Sequence, residues 1–165
     1  DISADLEELG TTNICVVSAG AKSILDLPKT LEYLDTKGVP VVGYKTSIFP
    51  AFFCNESTEK VPLRLDDPKE IADMIKVKWD LGLNGGILIA NPIDGKYSLS
   101  KEMIDTVIEN AIKEMNELKI IGKEVTPFLL SKINEITKGT SLAANKQLVY
   151  SNCKLAAQIA KAYFE

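Results

Sequence analysis

Short apolar runs alternate with longer stretches of helical period along this chain. Ile14-Cys15-Val16-Val17 is a continuous apolar run closed by Ser18-Ala19-Gly20, which predicts a buried strand and its exit loop. Asp26-Leu27-Pro28 opens a helix with Pro28 in its first turn; Leu31 and Leu34 line one face, and Gly38 stops it. Val39-Pro40-Val41-Val42-Gly43-Tyr44 reads as a second strand. Lys45 to Leu65 has no clear period, and an irregular segment of that length in a compact domain is usually functional or covered by a partner. Asp67-Pro68-Lys69-Glu70 starts a helix that continues through Ile71, Met74 and Ile75 to Gly82, and Gly86-Ile87-Leu88-Ile89-Ala90 is a third strand. The remainder is helical: one helix capped by Ser100 with Ile104, Val107, Ile108, Ala111 and Ile112 in register, one starting at Thr126-Pro127 and stopped at Gly139, and one starting at Ser141.

Strand, helix, strand, helix, strand, with each strand an unbroken apolar run, predicts an α/β fold. It is layered α/β/α, with a mostly parallel or mixed sheet and a helical C-terminal third. Ligands of such sheets sit beyond the carboxyl ends of the strands, here Ser18 to Lys22, Tyr44 to Phe53 and Ala90 to Ile93. Three strands are few for a sheet of this kind, so the chain is expected to need more strands than it carries. It shows no basic signal-peptide region, and since it starts at Asp1 rather than at a methionine it is expected to be a piece of a longer product. Residues 1–165 form part of one domain.

Composition removes whole classes of chemistry. A net charge of −4 and a pI near 5.0 argue against a nucleic acid polymer as partner, and no uncharged run is long enough to suggest a membrane span. Cys15, Cys54 and Cys153 have no C-x-x-C spacing and suit three free thiols in a reducing, cytoplasmic compartment. Histidine is absent, so Ser-His-Asp and Cys-His sites and His-ligated zinc are excluded within this chain. Proton transfer falls to Asp, Glu, Lys, Tyr or water.

Lys22 stands out among the remaining candidates. It follows Ser18-Ala19-Gly20-Ala21, at a strand's carboxyl end on a loop of small residues that lets a ligand approach the backbone. A lysine held there can add to a carbonyl as a Schiff base, although a solvated surface lysine is the commoner outcome of such a pattern. Asp1 and Asp5 could share a helical face and hold a hard cation, or simply be acids near a helix start; the Ser3 hydroxyl could meet a phosphate or cap that helix. Asn84-Gly85-Gly86 precedes a strand and reads as a tight turn, not a phosphate cradle, and Lys76 and Lys78 around Trp79 read as a solvated face.

Taken together, several segments make a specific pattern. Asp1-Ile2-Ser3-Ala4-Asp5-Leu6, Ala19-Gly20-Ala21-Lys22-Ser23-Ile24-Leu25-Asp26-Leu27, Gly38-Val39-Pro40-Val41-Val42-Gly43-Tyr44 and Phe49-Pro50-Ala51-Phe52 lie in the first third. Leu83-Asn84-Gly85-Gly86, Ala90-Asn91-Pro92-Ile93, Gly122-Lys123-Glu124-Val125-Thr126-Pro127-Phe128-Leu129-Leu130 and Ser141-Leu142 with Asn145 complete it. In order and spacing this resembles the pseudouridine-5'-phosphate glycosidase family, also called indigoidine synthase A-like, over essentially the whole chain.

The family's enzymes are nearly twice as long, and the resemblance is to their C-terminal part. It implies reversible cleavage of the C–C glycosidic bond of pseudouridine 5'-phosphate to uracil and ribose 5-phosphate. It further implies Lys22 as nucleophile forming an imine with ring-opened ribose, Ser3, Ala4 and Asp5 as substrate contacts, and Asn145 in the base pocket. Asp1 is implied as ligand of a divalent metal, typically manganese (Mn2+), and the assembly as a homotrimer. The family's general acid, a glutamate, and further substrate lysines lie upstream of Asp1, so the N-terminal half is expected to complete both sheet and site. The alternative is a phosphosugar-binding or assembly module with the fold but no turnover.

Overall fold

The computed structural model of the chain describes residues 3–22, 25–55, 57–121 and 124–165, apart from the Thr126 side chain. Asp1 and the Ser23-Ile24 and Gly122-Lys123 pairs lie outside the described residues. Among the described residues, six helices and four strands follow in the order α1 (Asp5–Thr11), β1 (Cys15–Ser18), α2 (Leu27–Thr36), β2 (Val41–Tyr44), β3 (Leu63–Leu65), α3 (Pro68–Asp80), β4 (Ile87–Ala90), α4 (Lys101–Glu117), α5 (Val125–Ile136) and α6 (Thr140–Phe164). The sheet has the order β1-β4-β2-β3, and all its pairings are parallel.

The apolar runs form strands because both of their faces are covered. Along β4, Leu88 and Ala90 point to one side with Val16 and Val41, beneath Leu6 and Leu9 of α1 and Leu34 of α2. Ile87 and Ile89 point to the other side with Val42, beneath Ile71 and Ile75 of α3 and Leu155 and Ile159 of α6. A third cluster lies past the carboxyl ends, where Ala19, Phe53 and Ile93 meet Ile104 and Val107 of α4, Ile133 of α5 and Ala144 and Leu148 of α6. The long α6 therefore packs on the loops with its first half and on the sheet with its second. The layered α/β architecture and the helical last third are as the pattern predicts.

Three helix starts follow the expected capping chemistry. Asp26 accepts from the Lys29 amide at 3.1 Å, Asp67 from the Lys69 amide at 2.9 Å and Ser100 from the Met103 amide at 3.3 Å, with prolines in the first turns of α2 and α3. Two boundaries move slightly: α5 begins at Val125 and α6 at Thr140, behind a left-handed Gly139. The strand count differs from the expected three. β3 lies inside the aperiodic Lys45–Leu65 segment and is only three residues long, too short to register as alternation.

At the amino end of the sheet, Lys78 corrects the reading of a solvated face. It is 8% exposed, and its Nζ donates to the carbonyls of Leu83, Asn84 and Gly85 at 2.7, 2.7 and 2.9 Å. Three donors meet three carbonyls of the turn that follows α3, the last of them shared with Trp79 Nε1 at 3.2 Å, which is why this ammonium can be buried. Burial still pulls its pKa below the ordinary lysine value. Asn84-Gly85-Gly86 is the expected turn: Gly85 adopts φ +87°, its amide donates to Asn13 Oδ1 at 2.7 Å, and an added Cβ on Gly86 would lie 2.9 Å from the Ile14 carbonyl oxygen.

Candidate active site

At the opposite, carboxyl end of β1, the chain makes a tight exit. Gly20 adopts φ +77°, and a Cβ there would fall 1.8 Å from the Pro50 carbonyl oxygen, so only glycine fits. The Ser18 hydroxyl donates to the Gly20 carbonyl at 3.1 Å, and the Phe52 amide donates to the Ala19 carbonyl at 3.1 Å. These bonds lock the 49–54 loop against the exit of β1. The loop closes on itself, with the amides of Ala51 and Cys54 each donating to the other's carbonyl, at 2.9 and 3.4 Å. Phe52 occupies the first central position of that two-residue turn at φ +61°, where mirror-image turns favour glycine.

Immediately after this lock stands Lys22, half-buried, its carbonyl accepting from the Leu25 amide at 2.8 Å on the way into α2. It lines a cavity of about 220 Å³ together with Ser3, Asp5, Ser18, Phe49 and Phe52. Among the described residues, the Lys22 ammonium makes no hydrogen bond or ion pair. Leu6, Leu9, Val16 and Leu88 form an apolar floor, and Ser3, Asp5 and Lys22 supply the polar rim. Ser3 and Asp5 are organised toward one another, since the Ser3 hydroxyl donates to Asp5 Oδ2 at 3.0 Å and accepts from the Asp5 amide at 3.3 Å. The helix carrying Asp5 is itself latched to α2. Glu7 accepts from Lys37 Nζ at 2.8 Å and from the Tyr33 hydroxyl, and these bonds, the lysine's first, hold its carboxyl below the usual carboxylate range.

Of the residues singled out from the sequence, the structure therefore gathers Ser3, Asp5 and Lys22 into one cavity, at the carboxyl end expected for this fold. Ala4 is exposed beside them and does not line the cavity. Asn145 is half-buried on α6, beside Ala144, which packs with Ala19 and Phe53, so it stands at the same end of the sheet without lining the cavity. Asn91, at the end of β4, holds α6 instead: its Nδ2 donates to Ser151 Oγ at 3.0 Å and Asn152 Oδ1 at 2.9 Å. Ser18 and Phe52 were not singled out as site residues. The signal for Ser18 is position alone, at the end of a strand; Phe52 lies in an irregular aromatic run beyond a strand end and within the family pattern, without a role attached to it.

Asp1, the implied metal ligand, lies outside the described residues, and among those described no group of three or more Asp, Glu, Cys or His side chains could hold a metal ion. The oxygens that do converge, from Ser3 and Asp5, are of the hard type that manganese or magnesium accepts. A second depression, about 310 Å³ and bordered by Asp26, Ser57, Lys101 and Asp105, lies across Leu25 from the first; its Lys101 is paired with Asp105 at 3.0 Å.

A parallel α/β sheet with a lysine-bearing cavity at its carboxyl edge is the class defined so far. Residues 1–162 match the family described as indigoidine synthase A like protein, and the chain belongs to that family. It is 63% identical over 163 residues to pseudouridine-5'-phosphate glycosidase of Petrotoga mobilis, covering 99% of this chain and 53% of that protein. The enzyme of the same name from Brachyspira hyodysenteriae is 53% identical over the same shares. Among solved structures, the prealnumycin C-glycosynthase in complex with ribulose 5-phosphate superposes with a TM-score of 0.91 at 34% identity, over 99% of this chain and 54% of that one. An indigoidine synthase A-like protein from Thermotoga maritima gives 0.87 at 38% identity, over 97% and 53%. The chain thus spans about half the length of the relatives it matches. Among the described residues, no helix is long and apolar enough to cross a membrane.

Proposed function

We propose that this chain carries the lysine of a pseudouridine-5'-phosphate glycosidase, which reversibly cleaves pseudouridine 5'-phosphate to uracil and ribose 5-phosphate. The observation that carries the reading is a lysine on the wall of a cavity rimmed by Ser3 and Asp5, its side chain unpaired among the described residues, in a chain closely similar to enzymes of that name. In cleavage, Lys22 Nζ, as the neutral amine, bonds to C1' and gives up a proton as the ring C1'–O4' bond breaks and O4' takes one. The C1'–C5 bond then breaks, its electron pair goes to the uracil carbon, which is protonated, and the nitrogen lone pair closes the C1'=N imine. Water hydrolyses the imine and releases ribose 5-phosphate and the free lysine. A C-glycoside has no heteroatom leaving group to protonate, so the paired-carboxylate route of O-glycosidases is closed to it: the uracil carbon takes the bonding pair and a proton, and the electron push comes from the lysine nitrogen on the sugar side.

Ser3, Ala4 and Asp5 are assigned to substrate contacts and Asn145 to the base pocket. Asp1 is assigned as ligand of manganese or another divalent cation; when bound, the cation would supply positive charge toward the substrate's oxygens. The general acid is assigned to the region upstream of Asp1, so efficient turnover requires that region. A homotrimeric cytoplasmic enzyme completes the reading, supported on the second point by the free thiols of Cys15 and Cys153.

Borohydride trapping with ribose 5-phosphate and manganese, followed by peptide mass spectrometry on the full-length protein, tests it. A reduced pentose phosphate adduct on Lys22 that Lys22→Ala removes is the expected result. Adducts scattered over surface lysines, or none, would overturn the imine and leave a phosphosugar-binding module.

A further inference from the structure

We infer that the strand immediately upstream of α1 in the longer protein pairs in parallel with the free edge of β1 and brings its carboxyl end to the Lys22 cavity. The argument starts from the two crossovers the sheet contains. From β1 to β2 the chain moves away from the β1 edge with α2 on one face; from β3 to β4 it moves back with α3 on the opposite face. Both crossovers thus have the same hand, as the near-universal right-handed rule for parallel strands requires.

α1 is built as a third crossover helix. Its first turn lies at the carboxyl end, where Ser3 and Asp5 line the cavity; its last lies at the amino end, where the Leu9 carbonyl accepts from the Gly86 amide at 2.7 Å. It therefore runs against the strands, and Leu6 and Leu9 place it on the same face as α2. With the helix on that face, the hand permits travel in one direction only, the direction from β1 toward β2. A strand that feeds α1 and continues into β1 must come from the other side of β1. Three residues join α1 to β1, which favours an adjacent strand over a distant one.

The two edges of the sheet agree with this assignment. β1 reads as an interior strand, apolar toward both faces through Cys15, Val16 and Val17, yet all four of its residues are only half-buried. β3, at the other edge, is three residues long and carries exposed Arg64 paired with Asp66, the short and charged form of an edge protected against pairing. The Ile14 and Ser18 carbonyls accept from the Ile87 and Asn91 amides, so strand alternation aims the amides of Cys15 and Val17 away from β4, at the open edge. The relatives supply the length for a further strand, since this chain covers 53% of the first of them.

Amide hydrogen exchange on the full-length wild-type protein tests the inference without a variant. The Cys15 and Val17 amides are expected to exchange at least a hundredfold more slowly than unstructured peptide, at every protein concentration. Exchange at the unstructured rate would overturn the inference. So would protection that vanishes on dilution to the monomer, which would assign the edge to a second copy. The readout does not involve Lys22 chemistry, so it can fail while the proposed function stands, and the reverse.

Discussion

Two lysines at opposite ends of the sheet show how one side chain type serves two ends. Lys78 at the amino end is buried and spends every proton on a carbonyl, Leu83, Asn84 and Gly85 in turn. Lys22 at the carboxyl end is half-buried on a cavity wall and, among the described residues, makes no such bond. A lysine fixed by three acceptors is a structural cap; one kept out of such bonds is available to a ligand. The surrounding backbone differs in the same sense. Around Lys78 it is tied into a turn, and around Lys22 it is locked through Gly20 into a loop that carries a left-handed Phe52.

The largest expected effect breaks the comparison at its functional end. In the full-length protein, Lys22→Ala should abolish the trappable adduct and lower turnover on the order of 10³-fold or more. Its unfolding free energy should stay within about 1 kcal/mol of wild type, because among the described residues the side chain makes no hydrogen bond or ion pair. A variant that retains turnover would sink the assignment. Gly20→Ala attacks the lock itself. With the new Cβ on top of the Pro50 carbonyl and φ at +77°, a loss of roughly 3 kcal/mol in urea unfolding is expected. Lys22 should then be less trappable even in the folded fraction.

Lys78→Met reverses the pattern. It removes the donor from the Leu83 and Asn84 carbonyls and leaves Trp79 Nε1 on that of Gly85, which should cost roughly 1–3 kcal/mol in denaturant unfolding. Adduct formation on Lys22 by the folded fraction should be unchanged. If Lys78→Met were as harmless as Lys22→Ala, the two lysines would not differ as argued.

The same dry packing near the amino end gives a pH prediction. Burial pushes the Cys15 thiol up to about 11 from its ordinary value of 9.0. The unfolded chain therefore loses this proton first. The stability linked to it is intact below pH 9 and declines between about pH 9 and 11, by roughly 2–3 kcal/mol for two pH units. Thermal unfolding of wild type against Cys15→Ala across that range measures it; parallel curves for the two would contradict it.

Most of this layout was legible in the sequence where local chemistry and tertiary packing agree. Val16 and Val17 form a strand because both faces are covered, and Asp26, Asp67 and Ser100 cap helices through their own oxygens. Lys22 could be picked out because small residues at a strand's carboxyl end carry a mechanism. β3 was not legible, because three residues give no period, and Lys78 was not, because its partners are carbonyls that carry no side-chain signature. The family pattern pointed to Ser3 and Asp5, but their place beside Lys22 depends on how α1 crosses the sheet. Ser18 and Phe52 became site residues only once the loop at 49–54 had folded back on β1.

Phe52 offers the smallest and sharpest test. A left-handed non-glycine residue costs on the order of 1 kcal/mol, so the ring must return something that a glycine would not. Part of that return is visible: the ring packs edge-on against Phe53, with centroids 4.7 Å apart, an arrangement worth about 1 kcal/mol. The two terms nearly cancel, so Phe52→Gly should leave the unfolding free energy within about 1 kcal/mol of wild type. Phe52→Ala loses the ring but keeps the strain, and should fall about 1 kcal/mol below Phe52→Gly. Equal urea midpoints for the two variants would show that the turn holds no strain. Since the ring also walls the cavity beside Lys22, both variants should raise the full-length enzyme's KM for its substrate by roughly tenfold, the weight of one lost aromatic contact. A KM unmoved in both would return Phe52 to the packing of the loop and leave the cavity's polar rim alone to select the ligand.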